Sequence, residues 1–199
     1  MPNPKYQWSV SRRRYLQNGR AVPESRIRGS LQSAIDSAKD SVGKFTQEFI
    51  DGKITGAEWA VRMRDEIRAS HRAAAMLANG GKLDAKAAGK LGSQVKEQFG
   101  YLNNFINQID NGEIELNGRV LARAQMYIQA ARTTYENQVI FRESRAGIAY
   151  GRWELGTAEH CAGCIEQSDR GVQPLEDFPA IGSRECRVNC HCSIVMEGK

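Results

Sequence analysis

Cysteine is missing from the first 160 residues of this 199-residue chain. No disulfide or thiolate-bound metal can therefore staple that part together. Proline is missing from a long internal stretch, with none between Pro23 and Pro174. No uncharged apolar run reaches the roughly 20 residues that span a bilayer, so a membrane partner is not expected. The N-terminal MPNPKYQWSVSRRR is basic but has no apolar core, which reads as a protein without a signal peptide, at work in the cytoplasm. There are only three histidines. No nucleophile–base–acid set stands out, and no G-x-x-x-x-G-K-[ST] phosphate loop exists. An enzyme is not expected.

What is present is ordinary for a globular protein, at 41% hydrophobic and 26% charged residues. The net charge of +5 is unevenly spread. Residues 1–29 hold seven basic residues against Glu24 alone, net +6, while residues 30–150 are net +2 and residues 151–199 are net −3. The chain divides accordingly into an arm (1–22), a helical domain (23–150) and a cysteine-rich tail (151–199).

The arm reads as an extended basic segment that orders on a partner. Asn18-Gly19 is a tight-turn signal, but there is little apolar mass to hold a hairpin. Trp8, Arg12, Arg13, Arg14, Tyr15 and Arg20 are its partner-binding candidates, suited equally to DNA phosphates and to an acidic protein surface. From Pro23 the apolar period becomes helical. Ile27, Leu31, Ile35, Ala38, Val42, Phe45 and Phe49 form one stripe. Trp59, Met63, Ile67, Ala74 and Leu77 form a second, after a Thr55–Glu58 capping box. Leu91, Val95, Phe99, Leu102, Phe105, Ile106 and Ile109 form a third. Val120, Ala124, Tyr127, Ile128, Ala131, Tyr135 and Val139 form a fourth, on a helix running from about Gly118 to Gly147. The expected fold is mainly α, a bundle of about four long amphipathic helices. FIDGKI (49–54) and QIDNGEI (108–114) look alike and hint at a duplicated hairpin. His71, among Arg68, Arg72 and Glu66, reads as part of a solvated face.

All five cysteines lie in the tail, as Cys161-x-x-Cys164 and, after a gap, Cys186, Cys190 and Cys192. A Cys-x-x-Cys turn presents two thiolates as a tetrahedral zinc ion accepts them. The second cluster closes the site from distant sequence, as in a zinc ribbon or knuckle. The favoured ligands are Cys161, Cys164, Cys190 and Cys192, with Cys186 as an alternative, and the spacing does not separate these sets. His160 and His191 adjoin ligands and read as their supports. Disulfides suit neither the compartment nor the odd count. A redox Cys-x-x-Cys would need a strand before it and a helix after it, and the sequence shows neither. Trp153 and Leu155 read as the tail's own small core. With its net negative charge the tail is a poor match for phosphates.

The stretch Trp153-Glu-Leu-Gly-Thr-Ala-Glu-His160-Cys161-Ala-Gly-Cys164, with Gln173-Pro174, Pro179, Gly182 and Cys186-Arg-Val-Asn189-Cys190-His-Cys192, resembles the C-terminal region of phage head-morphogenesis proteins, the Mu F-like minor head proteins. Gly80-Gly81, Tyr101-Leu-Asn-Asn-Phe105, Arg14-Tyr15 and Asn18-Gly19-Arg20 are similar to stretches of the same or related phage structural proteins. Many relatives end in His-Pro-Asn-Cys-Arg-Cys; here Arg187-Val188 replace His-Pro, and Cys186 stands one position earlier. The resemblance implies a non-enzymatic virion protein with structural Zn²⁺, part of an oligomeric assembly. It implies docking on portal, adaptor or capsid proteins during head assembly in the host cytoplasm, near packaged DNA. The tail loop from Gly171 to Gly182 would then be a rigid contact. The alternative is a zinc-containing DNA-binding regulator.

Overall fold

The structure, a computed structural model, describes residues 6–157 and 159–197. The first five residues of the arm, with Lys5, lie outside the described residues. Strands β1 (Gln7–Ser9), β2 (Arg14–Gln17) and β3 (Arg20–Val22) lead into helices α1 (Glu24–Ile50), α2 (Gly56–Ala78), α3 (Ala85–Asp110), α4 (Gly118–Gln129) and α5 (Ala131–Arg145). The tail then forms β4 (Tyr150–Glu154), α6 (Ala162–Asp169), β5 (Val172–Pro174) and β6 (Ser193–Glu197), with 3₁₀ turns at Leu175–Asp177 and Arg187–Asn189.

The helices begin where the sequence offers caps. Thr55 accepts from the Glu58 backbone at 3.2 Å while Glu58 accepts from Thr55 at 2.8 Å. Asp84 and Asn117 cap α3 and α4 by one-way side-chain acceptance, from the backbone N–H of Ala87 and of Arg119. The look-alike phrases FIDGKI and QIDNGEI make the same turn. Gly52 and Gly112 have φ of +72° and +73°. Each glycine donates back to the third residue before it, and Lys53 and Glu113 donate to Glu48 and Gln108. This is a Schellman ending, which glycine enters without strain.

Every apolar residue of the first, second and fourth stripes is buried. Helix α2 packs on α1, α3, α4 and α5, and α1 packs on α4. Trp59 sits between Phe49 (5.0 Å, stacked) and Phe105 (5.9 Å, edge-on), its indole N–H donating to Thr46. The third stripe differs. Only Leu102 and Phe105 of it are fully buried, because α3 lies on the outside of α2 and α5. The fourth helix is divided at Ala130, where the Thr133 hydroxyl donates to the Ala130 carbonyl at 2.8 Å. Such back-bonding bends helices.

The arm departs most from expectation. Residues 6–22 are an ordered three-stranded antiparallel meander, with Asn18 and Gly19 at positive φ in its second turn. Trp8, Tyr15 and Val22 pair across the strands in one row facing the bundle. Tyr15 is 3% exposed. Its hydroxyl donates to the Ala78 carbonyl (3.0 Å) and meets the hydroxyl of Tyr135 and Nη1 of Arg142. The Arg142 guanidinium lies 3.4 Å from the centre of the Trp8 ring, and Arg13 reaches the buried carboxylate of Glu143 at 3.2 Å. Gly80 admits the strand: a Cβ there would stand 2.0 Å from the Trp8 backbone nitrogen. The missing apolar mass is thus supplied by the ends of α2 and α5.

His71 is another correction. It is 1% exposed, between Thr134 (2.7 Å) and the Tyr127 carbonyl (3.2 Å). The carbonyl requires Nε2 to donate, so Nδ1 accepts from Thr134. Burial lowers its pKa to about 4, against the opposing pull of the Tyr127 carbonyl. It is a neutral core histidine.

Candidate metal centre and the charged faces around it

The tail is built on a three-stranded antiparallel sheet of order β5-β4-β6. Gly151 and Trp153 face inward, and Tyr150, Arg152 and Glu154 face outward. Trp153, Leu175, Ile181 and Ile194 form a small core with Cys164, Cys190 and Cys192. Leu155 packs against it, as expected of the tail's own core. The unit is fastened to the bundle by Asn137 of α5, which accepts from the Ile181 N–H (2.9 Å) and donates to its carbonyl (3.3 Å). The loop Gly171–Gly182 thus has its end anchored on α5.

All five cysteines are brought together, and among the described residues no disulfide joins them. Cys161 caps α6, Cys164 lies in its first turn, Cys186 and Cys190 bracket a 3₁₀ turn, and Cys192 precedes β6. The sulfurs fall into two groups whose members all lie within 4.8 Å of one another: Cys161, Cys164 and Cys186, and Cys164, Cys190 and Cys192. Cys164 belongs to both. The four ligands favoured from sequence are therefore split between the groups, and Cys186 shares the hub with Cys161. The Cys186 Sγ is 3.6 Å from Cys164, and that of Cys190 is 3.9 Å away. Two thiolates on one tetrahedral zinc, at about 2.3 Å each, stand about 3.8 Å apart. The donor set fits a metal ion.

Thiols crowded into so small a volume resist ionising together. Burial first, then neighbouring cysteines, raises Cys164 and pushes Cys186 up to about 12. Burial also raises Cys192, against the pull of the Trp153 indole N–H. That N–H is otherwise buried without a hydrogen-bond partner. Cys161 is the exception. Burial and Glu185 push it up, but the backbone N–H groups of Cys186 and Cys164 help to hold it below its ordinary value. A divalent cation removes the conflict by displacing the protons.

The histidines flank this cluster. His160 Nε2 donates to the Gly156 carbonyl at 2.9 Å, leaving Nδ1 toward Cys192 Sγ at 3.8 Å. A backbone carbonyl held in this way fixes the tautomer and the orientation of the ring. His191 is half-buried, and burial, Arg132 and His160 lower its pKa. Gly156 is needed because the His191 carbonyl would stand 2.2 Å from a Cβ there.

Strand β4 ends seven residues before Cys161, and α6 begins directly after it. The strand and helix that the sequence hid are thus both present. An eight-residue helix burying only Gly163, Cys164 and Gln167 carries too little periodicity to read. What separates this site from an isolated redox pair is the company of three further sulfurs.

Of the six partner-binding candidates in the arm, Tyr15 is consumed by the core and the Trp8 ring is covered by Arg142. Arg13 is tied to Glu143. Arg12, Arg14 and Arg20 are exposed and, among the described residues, make no ion pair. The sequence reading missed the buried charges that hold the arm and α1 down. Glu136 is 2% exposed and meets Arg28 through both oxygens; Glu143 is equally buried, between Arg13 and Arg142. Burial raises the pKa of Glu136 and Arg28 opposes it. Their seven-residue spacing, on a helix otherwise poor in apolar residues, was the available signal.

No family model, curated protein or solved structure matches the chain. Among the described residues no helix is long and apolar enough to cross a membrane.

Proposed function

We propose that this protein is a structural component of a phage virion, a minor head protein that acts without catalysis. It docks on portal, adaptor or capsid proteins during head assembly in the host cytoplasm, and remains near the packaged DNA. The observation that carries the reading is the gathering of the Cys161-x-x-Cys164 and Asn189-Cys190-x-Cys192 motifs into one thiol cluster, on a tail keyed to α5. Four of the five thiols would hold a Zn²⁺ whose task is structural, fixing the Gly171–Gly182 loop as a rigid contact. The three unpaired arginines of the meander present a second, basic contact to an acidic surface.

Removing residues 1–22 would strip Tyr15 and Val22 from the core, so charge reversal is the cleaner test. Arg12→Glu/Arg14→Glu/Arg20→Glu protein should fold but enter purified particles at least tenfold less than wild type. Normal incorporation would overturn the role of the arm. Salt-dependent, sequence-specific binding of the wild type to duplex DNA, without entry into particles, would favour the DNA-binding regulator instead.

A further inference from the structure

Two faces of the molecule carry unpaired charge of opposite sign. Arg12, Arg14, Arg20 and Arg26 are exposed on or beside the meander and make no ion pair among the described residues. Arg13 and Arg28, their neighbours, are the ones used internally. In the tail, Glu154, Glu159, Asp169, Glu176, Asp177 and Glu185 are exposed, and the two ion pairs there, Arg152–Glu197 and Arg170–Glu166, leave them unneutralised. A four-thiolate Zn²⁺ site would add to that negative charge.

Each face also exposes apolar surface. Val10, at the β1–β2 turn beside Arg12, is 69% exposed. The outward face of the tail sheet shows Tyr150 (43%) and Val172 (57%), the latter in register with Arg152. Glu154 stands at one end of β4, and Glu176 and Asp177 follow β5 where it pairs beside Tyr150 at the other. Arg152, on the same outward face, is neutralised by Glu197 (3.2 Å), so the unpaired charge around Tyr150 and Val172 is acidic. Exposed apolar residues beside unpaired charge of one sign on one face, and of the other sign on the second, are the pattern of an interface. The inward row of the meander is already spent on the bundle, so its outward side, with Arg14 and Leu16, is what remains to be covered.

We infer that the two faces meet between copies: the basic meander of one chain docks on the acidic outward sheet of the next. This deepens the docking reading and rests on it, by naming a second copy of this chain as the acidic partner of the arm. Because the two patches differ, the contact is heterologous, and a rotation that closes makes a ring.

The test is sedimentation of the full chain with and without two charge reversals. One variant carries Arg12→Glu, Arg14→Glu and Arg20→Glu, and the other carries Glu154→Lys, Glu176→Lys and Asp177→Lys; circular dichroism checks that each folds. Wild type should self-associate in about 0.1 M salt and dissociate toward 1 M, where the screening length drops to about 3 Å. Each variant alone should be monomeric, and an equimolar mixture should associate again, since each supplies the face the other lacks. A wild type that stays monomeric at low salt, or a mixture no more associated than its parts, would overturn the inference. If the monomeric wild type instead binds duplex DNA through the arm, nucleic acid is the partner and the copy-to-copy contact is wrong. Should the wild type be monomeric while the arm variant is still excluded from particles, this contact falls and the docking reading stands.

Discussion

His71 shows how far a single residue's surroundings can depart from its neighbours in sequence. Flanked by charged residues, it nonetheless faces the core, where Thr134 and Tyr127 satisfy the neutral ring at both nitrogens. Its pKa falls from 6.5 to about 4. The unfolded chain therefore takes up a proton between these values that the folded chain refuses. The resulting stability is complete above about pH 6.5 and is lost as pH falls toward 4, at most about 3 kcal/mol. A His71→Gln variant should be less stable than wild type at pH 7, with the gap narrowing toward pH 4 in urea denaturation. A gap that stays constant would mean the ring does not titrate as described. The same residue marks the limit of sequence reading. A lone histidine between arginines has the pattern of a surface residue, and its burial is set by helices 56 and 63 residues further on.

At the scale of elements, the helices were legible and their packing was not. Three of the four apolar stripes are buried throughout, and the caps at Thr55 and the turns at Gly52 and Gly112 follow from local chemistry. The half-burial of α3 is not a local property, because an amphipathic helix looks the same whether it is covered on one flank or two. The meander was hidden for a related reason. Three strands of three or four residues hold no core of their own, and Tyr15 finds its partners at Ala78, Tyr135 and Arg142. Gly80 gates this contact, with φ of +64° and the Trp8 backbone directly over it. A Gly80→Ala substitution should therefore do more than cost the roughly 1 kcal/mol of an ordinary helix-ending glycine. It should lift the meander, raising amide exchange across residues 6–22 while α1 and α2 stay protected. Unchanged exchange there would show that the strand does not depend on that approach.

The whole molecule joins a helical body to two small sheets, one locked by aromatic and buried charged groups, the other closed around sulfur. The cysteine cluster was legible from spacing alone; which sulfurs share a centre was not. Residues 22 to 26 positions apart meet because α6 packs on β4 while the 3₁₀ turn at Arg187–Asn189 packs on α4, which brings Cys164 and Cys190 into one core with Trp153. Around so small a core, the proposed Zn²⁺ would supply much of the tail's stability, since binding of structural zinc is worth on the order of 10 kcal/mol of folding free energy. The most direct test is elemental analysis of the purified chain with a thiol count on the same sample, before and after chelation. A four-thiolate centre should give about one zinc per chain, four protected thiols and one reactive one. Chelation should free all five and melt the tail while the helical signal persists. Metal-free protein with five reactive thiols and an intact tail, or with two disulfides in place of the metal, would contradict it.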